Sequence, residues 1–314
     1  MNKISTLLFL LVATSCEKEE VVFEINNLNW DMITVLGHGG MGVASTYPMN
    51  SFESVVNCIN LGSDGTEMDV QMTKDGVLVA FHDYDLSAKT NLKGVVNSLT
   101  WDELKNGYYN ETPYMKYSLV SLEQVFSNIE NVENYRFTFD CKLYRETTAD
   151  DTYFDQFAEG IIAIAEKYEL QRKICIESND EQFLSLLQQK RSRYKLFIYP
   201  DNFEEGLSTA ISMGLYGITI SANLITAAEV KAAHAAGLRV AVWDANSEQE
   251  NLSAVQMNPD FIQTDNVKYL VTLLSATTEI AQEKRAAKLD SVLNRKTMPS
   301  IDSTSQIIKD EPAY

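Results

Sequence analysis

Short apolar or β-branched runs alternate along this chain with longer stretches whose apolar positions recur at helical spacing. The extended runs are Met32–His38, Thr66–Gln71, Tyr135–Leu143, Ile174–Glu177, Lys195–Tyr199, Gly217–Ser221, Arg239–Asp244 and Phe261–Thr264. Val77–His82 adds a further strand, joined to Thr66–Gln71 through Lys74-Asp75-Gly76, a hairpin-type turn. Capping boxes at Thr100/Glu103, Ser121/Gln124, Ser178/Glu181, Thr226/Glu229 and Ser247/Glu250 mark helix starts. The helix over 226–236 stops at Gly237 and runs straight into the next strand.

Eight β-α units in about 250 residues predict an α/β fold, a (β/α)8 TIM barrel. A doubly wound open sheet is the alternative. It would carry a Gly-x-Gly-x-x-Gly turn after its first strand, and His38-Gly39-Gly40-Met41-Gly42 is not one. The barrel domain is placed at 30–274, a C-terminal helix and polar tail at 275–314, and a tether at 16–29.

The first residues read as an address. Lys3, the apolar run Leu7–Val12 and the small residues Ala13-Thr14-Ser15 describe a secretory signal over 1–15. Cys16 follows at once and resembles the lipidated cysteine of a bacterial lipobox; an ordinary signal peptide or a short anchor is the other reading. The implied location is the cell envelope, periplasmic or surface-exposed, with membrane contact through the lipid. Cys58, Cys141 and Cys175 are odd in number and match no metal-ligand spacing, so they read as small buried hydrophobes.

Composition narrows the function. At 45% hydrophobic and 22% charged residues the chain is an ordinary globular protein, and a mean hydropathy of −0.18 excludes a polytopic membrane protein. With 26 basic against 44 acidic residues the net charge is −18, which argues against a nucleic-acid partner.

The predicted strand ends are polar, and a barrel of this kind builds its site there. Glu67 and Asp69 stand two apart and so share one face of their strand, as do Asp140 and Lys142, leaving Met68, Val70 and Cys141 to face the helices. Three carboxylates on two apolar strands fit a hard divalent cation, Ca2+ or Mg2+; an ion-pair network around Lys142 is the competing account. Of three histidines, His38 and His82 end strands that flank the acidic pair, a placement suited to a general acid and base. His234 lies in the last turn of a helix, where it suits the dipole.

These residues resemble the glycerophosphodiester phosphodiesterase family. The specific stretch is Gly65-Thr66-Glu67-Met68-Asp69-Val70-Gln71-Met72-Thr73-Lys74-Asp75-Gly76-Val77-Leu78-Val79-Ala80-Phe81-His82-Asp83. Gly37-His38-Gly39-Gly40, Tyr47-Pro48-Met49-Asn50-Ser51, Leu99–Leu104, Asp140-Cys141-Lys142, His234–Leu238, Val242-Trp243 and Thr264-Asp265 extend the likeness over about residues 32–272. The resemblance implies a TIM barrel and metal-dependent hydrolysis of glycerophosphodiesters to glycerol phosphate and an alcohol. It makes His38 and His82 the acid/base pair, and Glu67, Asp69 and Asp140 the metal ligands. Lys142 becomes a phosphate contact and Trp243 the aromatic wall. The expected partner is a small-molecule phosphodiester or a lysophospholipid.

Two motifs depart from the family pattern. Gly39 stands where the family has an Arg, whose bidentate phosphate contact Gly cannot make. Pro48-Met49-Asn50-Ser51 replaces Pro-Glu-Asn-Thr, with Asn50 and Glu53 still able to cap a helix. The related sphingomyelinase D/phospholipase D branch also lacks that Arg, so a lipid phosphodiesterase stays open. A catalytically silent phosphate-binding lipoprotein and a phosphoinositide-type phospholipase C stay open with it, and product identity separates them. For the N-terminus, the expected outcome is that the wild type enters the detergent phase on phase separation, whereas Cys16→Ser stays aqueous. Equal partitioning of the two would refute lipidation.

Overall fold

The computed structural model describes residues 22–110, 115–145, 152–191 and 193–275, with Thr277 and Glu283. The signal over 1–15 and Cys16 lie outside the described residues, as does most of the expected helix and tail over 275–314. Among the described residues no helix is long and apolar enough to cross a membrane.

Eight parallel strands close into a barrel: β1 (Thr34–Gly37), β2 (Gly65–Met72), β5 (Arg136–Cys141), β6 (Ile174–Ser178), β7 (Lys195–Ile198), β8 (Gly217–Ser221), β9 (Arg239–Ala245) and β10 (Phe261–Thr264). Each pairs with its neighbour in chain order, and β1 pairs with both β10 and β2, which shuts the sheet on itself. Helices lie between them: α1 (Phe52–Asn60), α4 (Tyr153–Lys167), α5 (Glu181–Lys190), α6 (Phe203–Met213), α7 (Ala227–Ala235) and α8 (Glu248–Met257). The (β/α)8 expectation therefore holds.

Every predicted strand appears, with each end within two residues of the expected one. Val77–His82 shortens at both tips to β3 (Leu78–Ala80), which runs antiparallel to β2. A two-residue strand, β4 (Val120–Ser121), pairs with β3 and was not foreseen, since only that pairing makes it a strand. Between them the chain makes an excursion with its own small core: Val79, Phe81, Leu86, Val96, Leu104, Tyr109, Tyr117 and Leu119. The excursion carries α2 (Trp101–Leu104), and α3 (Leu122–Ser127) follows β4.

Four of the expected capping boxes form. The fifth does not: Asp180 caps α5 by accepting from the Phe183 amide, while the Ser178 hydroxyl only accepts from the Asp180 amide. Asp180 sits one residue before the helix and reaches the open amides; Ser178 is still in its strand. Likewise Ser51, not Asn50, caps α1. His234 bonds through Nε2 to Asp260 at 2.8 Å instead of serving only the helix end. Residues 22–29 lie against the barrel: Asn27 donates to the Pro259 carbonyl and Asn29 to Thr34 Oγ1, each at 2.8 Å. The three cysteines are free and buried, as expected.

Alternation along the strands divides two cores. Outward positions such as Met68, Val70, Phe137, Phe139 and Ile176 pack under the helices with Phe157 and Ile161. Inward positions begin as an apolar plug of Leu36, Cys175, Phe197, Ala241 and Phe261. Two residues further along the same strands come His38, Glu177, Trp243 and Gln263, so the barrel interior turns polar toward the C-terminal ends. Phe126 from α3 stands 4.8 Å from the Phe137 ring and 6.0 Å from Phe139, fixing the strand that carries Asp140. Phe126→Ala is expected to destabilise the fold by about 3–5 kcal/mol, read as a lower urea midpoint. A change under about 1 kcal/mol would show that this contact does not hold β5.

Candidate active site and metal centre

The site rests on the register between β2 and β5, which sets Asp69 directly beside Asp140. Glu67 precedes Asp69 by two residues on the same inward face, and ligand oxygens of Glu67, Asp69 and Asp140 all lie within 4.8 Å of one another. Lys142 Nζ bonds to Asp140 at 2.7 Å and to Asp69 at 3.2 Å. The ion-pair network and the carboxylate cluster are thus one object, and a single ammonium serves two of its three acids.

Glu67 is the unbalanced member. Its Oε2 accepts from the Gly39 amide at 2.8 Å, but its buried Oε1 has no hydrogen-bond partner. Burial and the charge of Asp69 push its carboxyl well above the ordinary range. Burial also raises Asp140, with Lys142 opposing. Asp69 goes the other way: burial would raise it, but Lys142, His82, an Asn50 bond and His38 together hold it below the usual value. Lys142, though burial disfavours its charge, is raised by Asp69 and Asp140. Three oxygen ligands, one of them a buried orphan, suit a hard divalent cation, whose charge would hold Glu67 ionised.

His38 ends β1 and bonds through Nδ1 to Asp265 Oδ1 at 3.1 Å; the same oxygen accepts from the Val43 amide. Burial alone would lower the imidazole, but the Asp265 bond and the fields of Glu67, Asp265 and Asp69 outweigh it and raise the pKa to about 9. His82 follows β3 and bonds through Nδ1 to Asp83 at 2.7 Å. The His38 side chain is 20% exposed and that of His82 53%, so one sits inside the mouth and the other at its rim. With an aspartate on each Nδ1, Nε2 is the nitrogen suited to proton exchange in either ring.

Trp243 stands near His38. Its ring lies 6.4 Å from His38 and packs edge-on against Tyr199 at 5.6 Å. The next residue, Asp244, does not join the site: it turns aside at a φ of 68° and accepts from Ser221 and Asn223.

Several participants were missed from sequence. Asn50 is buried at a φ of 64°, donates to Asp69 Oδ2 at 2.7 Å and accepts from the Asp69 amide at 3.0 Å. Gln71 donates to the Phe81 and Asp83 carbonyls, anchoring the segment that bears His82. Its signal was available, because it continues the inward series Glu67, Asp69. Glu177 stands beside Asp140 in register and receives Gln263 Nε2 at 2.8 Å; burial, then Asp140, raise its pKa to about 8.

Residues 41–269 match the family model for the glycerophosphoryl diester phosphodiesterase family. The chain is similar to a glycerophosphodiester phosphodiesterase of Bacillus altitudinis, at 27% identity over 248 residues, covering 74% of this chain and 95% of the relative. A second, from Caldanaerobacter subterraneus, is 23% identical with the same shares covered. In fold it is similar to an Oleispira antarctica phosphodiesterase solved with its product sn-glycerol-3-phosphate, at a TM-score of 0.67 and 17% identity over 77% of this chain and 96% of that one.

Adding Ca2+ or Mg2+ is expected to raise the melting temperature in a concentration-dependent way, as any ligand of the native state does. Glu67→Gln should lose most of that shift, yet without metal be at least as stable as the wild type, since it relieves a buried carboxylate. An unchanged melting temperature with either ion would argue against the ligand set.

Proposed function

The chain belongs to the glycerophosphoryl diester phosphodiesterase family and is a phosphoric diester hydrolase, and on that footing we propose that His38 and His82 are its acid/base pair. The substrate is a small-molecule phosphodiester, cleaved to glycerol phosphate and an alcohol. The observation that carries this reading is the pair of His–Asp contacts, His38 to Asp265 and His82 to Asp83, together with one carboxylate cluster that feels both histidines. Both histidine charges are felt at Asp69, so both lie within electrostatic reach of the cluster.

Glu67, Asp69 and Asp140 would hold the divalent cation, Ca2+ or Mg2+, which when bound neutralises charge developing on the phosphate oxygens. Lys142, fixed by Asp69 and Asp140, contributes a second positive charge to the same region. One histidine takes the proton from the attacking hydroxyl, the substrate's own neighbouring one, through Nε2, and the other gives a proton to the leaving alcohol; water then opens the resulting cyclic phosphate to glycerol phosphate. Asp265 and Asp83 hold the tautomers that make this possible. Trp243 excludes water from one side of the reacting group. Asn50 and Gln71 act through others, the first by orienting Asp69 and the second by steadying the approach to His82.

Survival of both histidines, both aspartate partners and all three carboxylates disfavours a silent binding protein. For localisation we keep the envelope lipoprotein reading, supported by the pattern from Lys3 to Cys16.

Each of His38→Ala and His82→Ala is expected to lower kcat by about 10²–10⁴-fold with an unchanged circular dichroism spectrum. Chelator should abolish release of glycerol phosphate, and Ca2+ or Mg2+ should restore it. Near-normal turnover in either variant, or indifference to chelator in metal-free protein, would sink the assignment.

A further inference from the structure

The floor of the barrel, where its strands begin, carries charge of the opposite sign to the mouth. β5 to β9 are successive neighbours in the sheet, and four of them start on or next to a cation: Arg136, Lys173, Lys195 and Arg239. Lys173, Lys195 and Arg239 stand two residues before Cys175, Phe197 and Ala241 of the apolar plug, so strand parity turns them to the same inward side. Arg136 stands two before Thr138, which pairs with Cys175, and shares that side. The remaining strand, β8, is preceded by Tyr216. Its ring packs edge-on to Phe197 at 5.5 Å and takes Arg239 Cζ at 4.2 Å and Lys195 Nζ at 5.7 Å.

Other cations of the chain find carboxylates: Lys167 pairs with Glu123, Lys190 with Asp155 and Glu159, and Arg191 with Glu166. Among the described residues none of the four floor cations makes a salt bridge. Lys195 Nζ donates to the Arg172 carbonyl at 3.0 Å, Lys173 Nζ to the Asn134 carbonyl at 3.4 Å and Arg239 Nη2 to the Leu28 carbonyl at 3.3 Å. These bonds occupy hydrogens without cancelling charge. Arg239 Nε is buried and has no partner at all. The charge of Asp64 reaches Arg136 and Lys173, but its Oδ2 accepts from the Val35 amide. Burial and the charges of Arg136, Arg239 and Lys173 hold the Lys195 ammonium below its usual range, against Cys175. All four side chains are half-buried, so solvent reaches them. In a chain of net charge −18, converging cations of this kind are costly unless an anion joins them.

We infer that Arg136, Lys173, Lys195 and Arg239 form a phosphate-binding site at the floor of the barrel, separate from the catalytic mouth. The two guanidinium groups offer paired N–H donors to phosphate oxygens and the two ammonium groups add point charges. The plug of Leu36, Cys175, Phe197, Ala241 and Phe261 lies between floor and mouth, so a phosphate held here does not meet the carboxylate cluster. The inference stands apart from the hydrolase reading. On the envelope-anchored reading above, a lipid headgroup is one source of the phosphate, because the segment that follows Cys16 meets the floor at Leu28. A dissolved phosphate ester is the other.

The test is calorimetric titration of the full chain with inorganic phosphate at fixed ionic strength. Chelator is present, which leaves the carboxylates of the mouth un-neutralised and unattractive to phosphate. Saturable binding is expected, weakened at least about tenfold in Lys195→Gln and in Arg239→Gln, as loss of one charge-assisted contact requires. Lys142→Gln, at the mouth, should bind as the wild type does. Without phosphate, Lys195→Gln should melt no lower than the wild type, since it removes one of four like charges, and with phosphate it should melt lower; a merely structural lysine would lower both. Binding that both floor variants keep, or that Lys142→Gln alone abolishes, overturns the site. To separate the sources, the Cys16→Ser chain is sedimented with phosphatidylglycerol and with phosphatidylcholine vesicles. Capture by the first over the second, lost when Lys195→Gln is added, assigns a lipid headgroup. Floor-dependent phosphate binding without such capture assigns a dissolved ester. Absence of both overturns the inference, whatever the turnover of diesters.

Discussion

Three carboxylates share the mouth of this barrel with one lysine, and much of the surrounding structure follows from that imbalance. Asp69 and Asp140 sit side by side because β2 and β5 pair in parallel register, and Lys142 lies two residues beyond Asp140 on the same face. Buried charge of one sign is costly unless matched. Lys142 and Asn50 relieve Asp69. Glu67 keeps an oxygen with no partner, and burial together with the charge of Asp69 raises its carboxyl. A divalent cation would complete this arrangement.

The same negative field organises the histidines. His38 is buried enough to lose its charge, yet Asp265, Glu67 and Asp69 together favour the imidazolium. His82, held by Asp83 at the exposed rim, stands in different surroundings. Two chemically identical side chains in unlike surroundings can take opposite roles in one proton-transfer cycle. The barrel supplies this asymmetry because His38 ends a strand inside the closed sheet, whereas His82 leaves a hairpin that only borders it.

That hairpin also opens an excursion with its own core, which supplies Phe81, Tyr109 and Tyr117 to the wall of the cavity beside His38 and His82. The barrel proper thus carries the charged half of the site and the excursion much of the apolar half. Met49 joins the two from the first βα loop, where it packs against Gly39. Placing specificity on loops over a fixed barrel rim lets one half vary without disturbing the other.

Alternation and capping were enough to read the barrel and the inward set Glu67, Asp69, Asp140 and Lys142, because side-chain parity along a strand is a local property. His38 and His82 were legible for a similar reason: each ends an apolar run beside that acidic strand. The failures share one cause. Asn50 looked like a helix cap and Ser178 like another, since a short polar side chain near a helix start satisfies the same local pattern whichever amide it reaches. Only the folded chain shows Ser51 and Asp180 in those places and frees Asn50 to hold Asp69. Asp265, Glu177 and β4 gain their partners from strands or loops distant in sequence, and Met49, ten positions on, fills the space that a side chain at Gly39 would need. Periodicity fixes which way a residue points; which residue it meets depends on register and closure of the sheet.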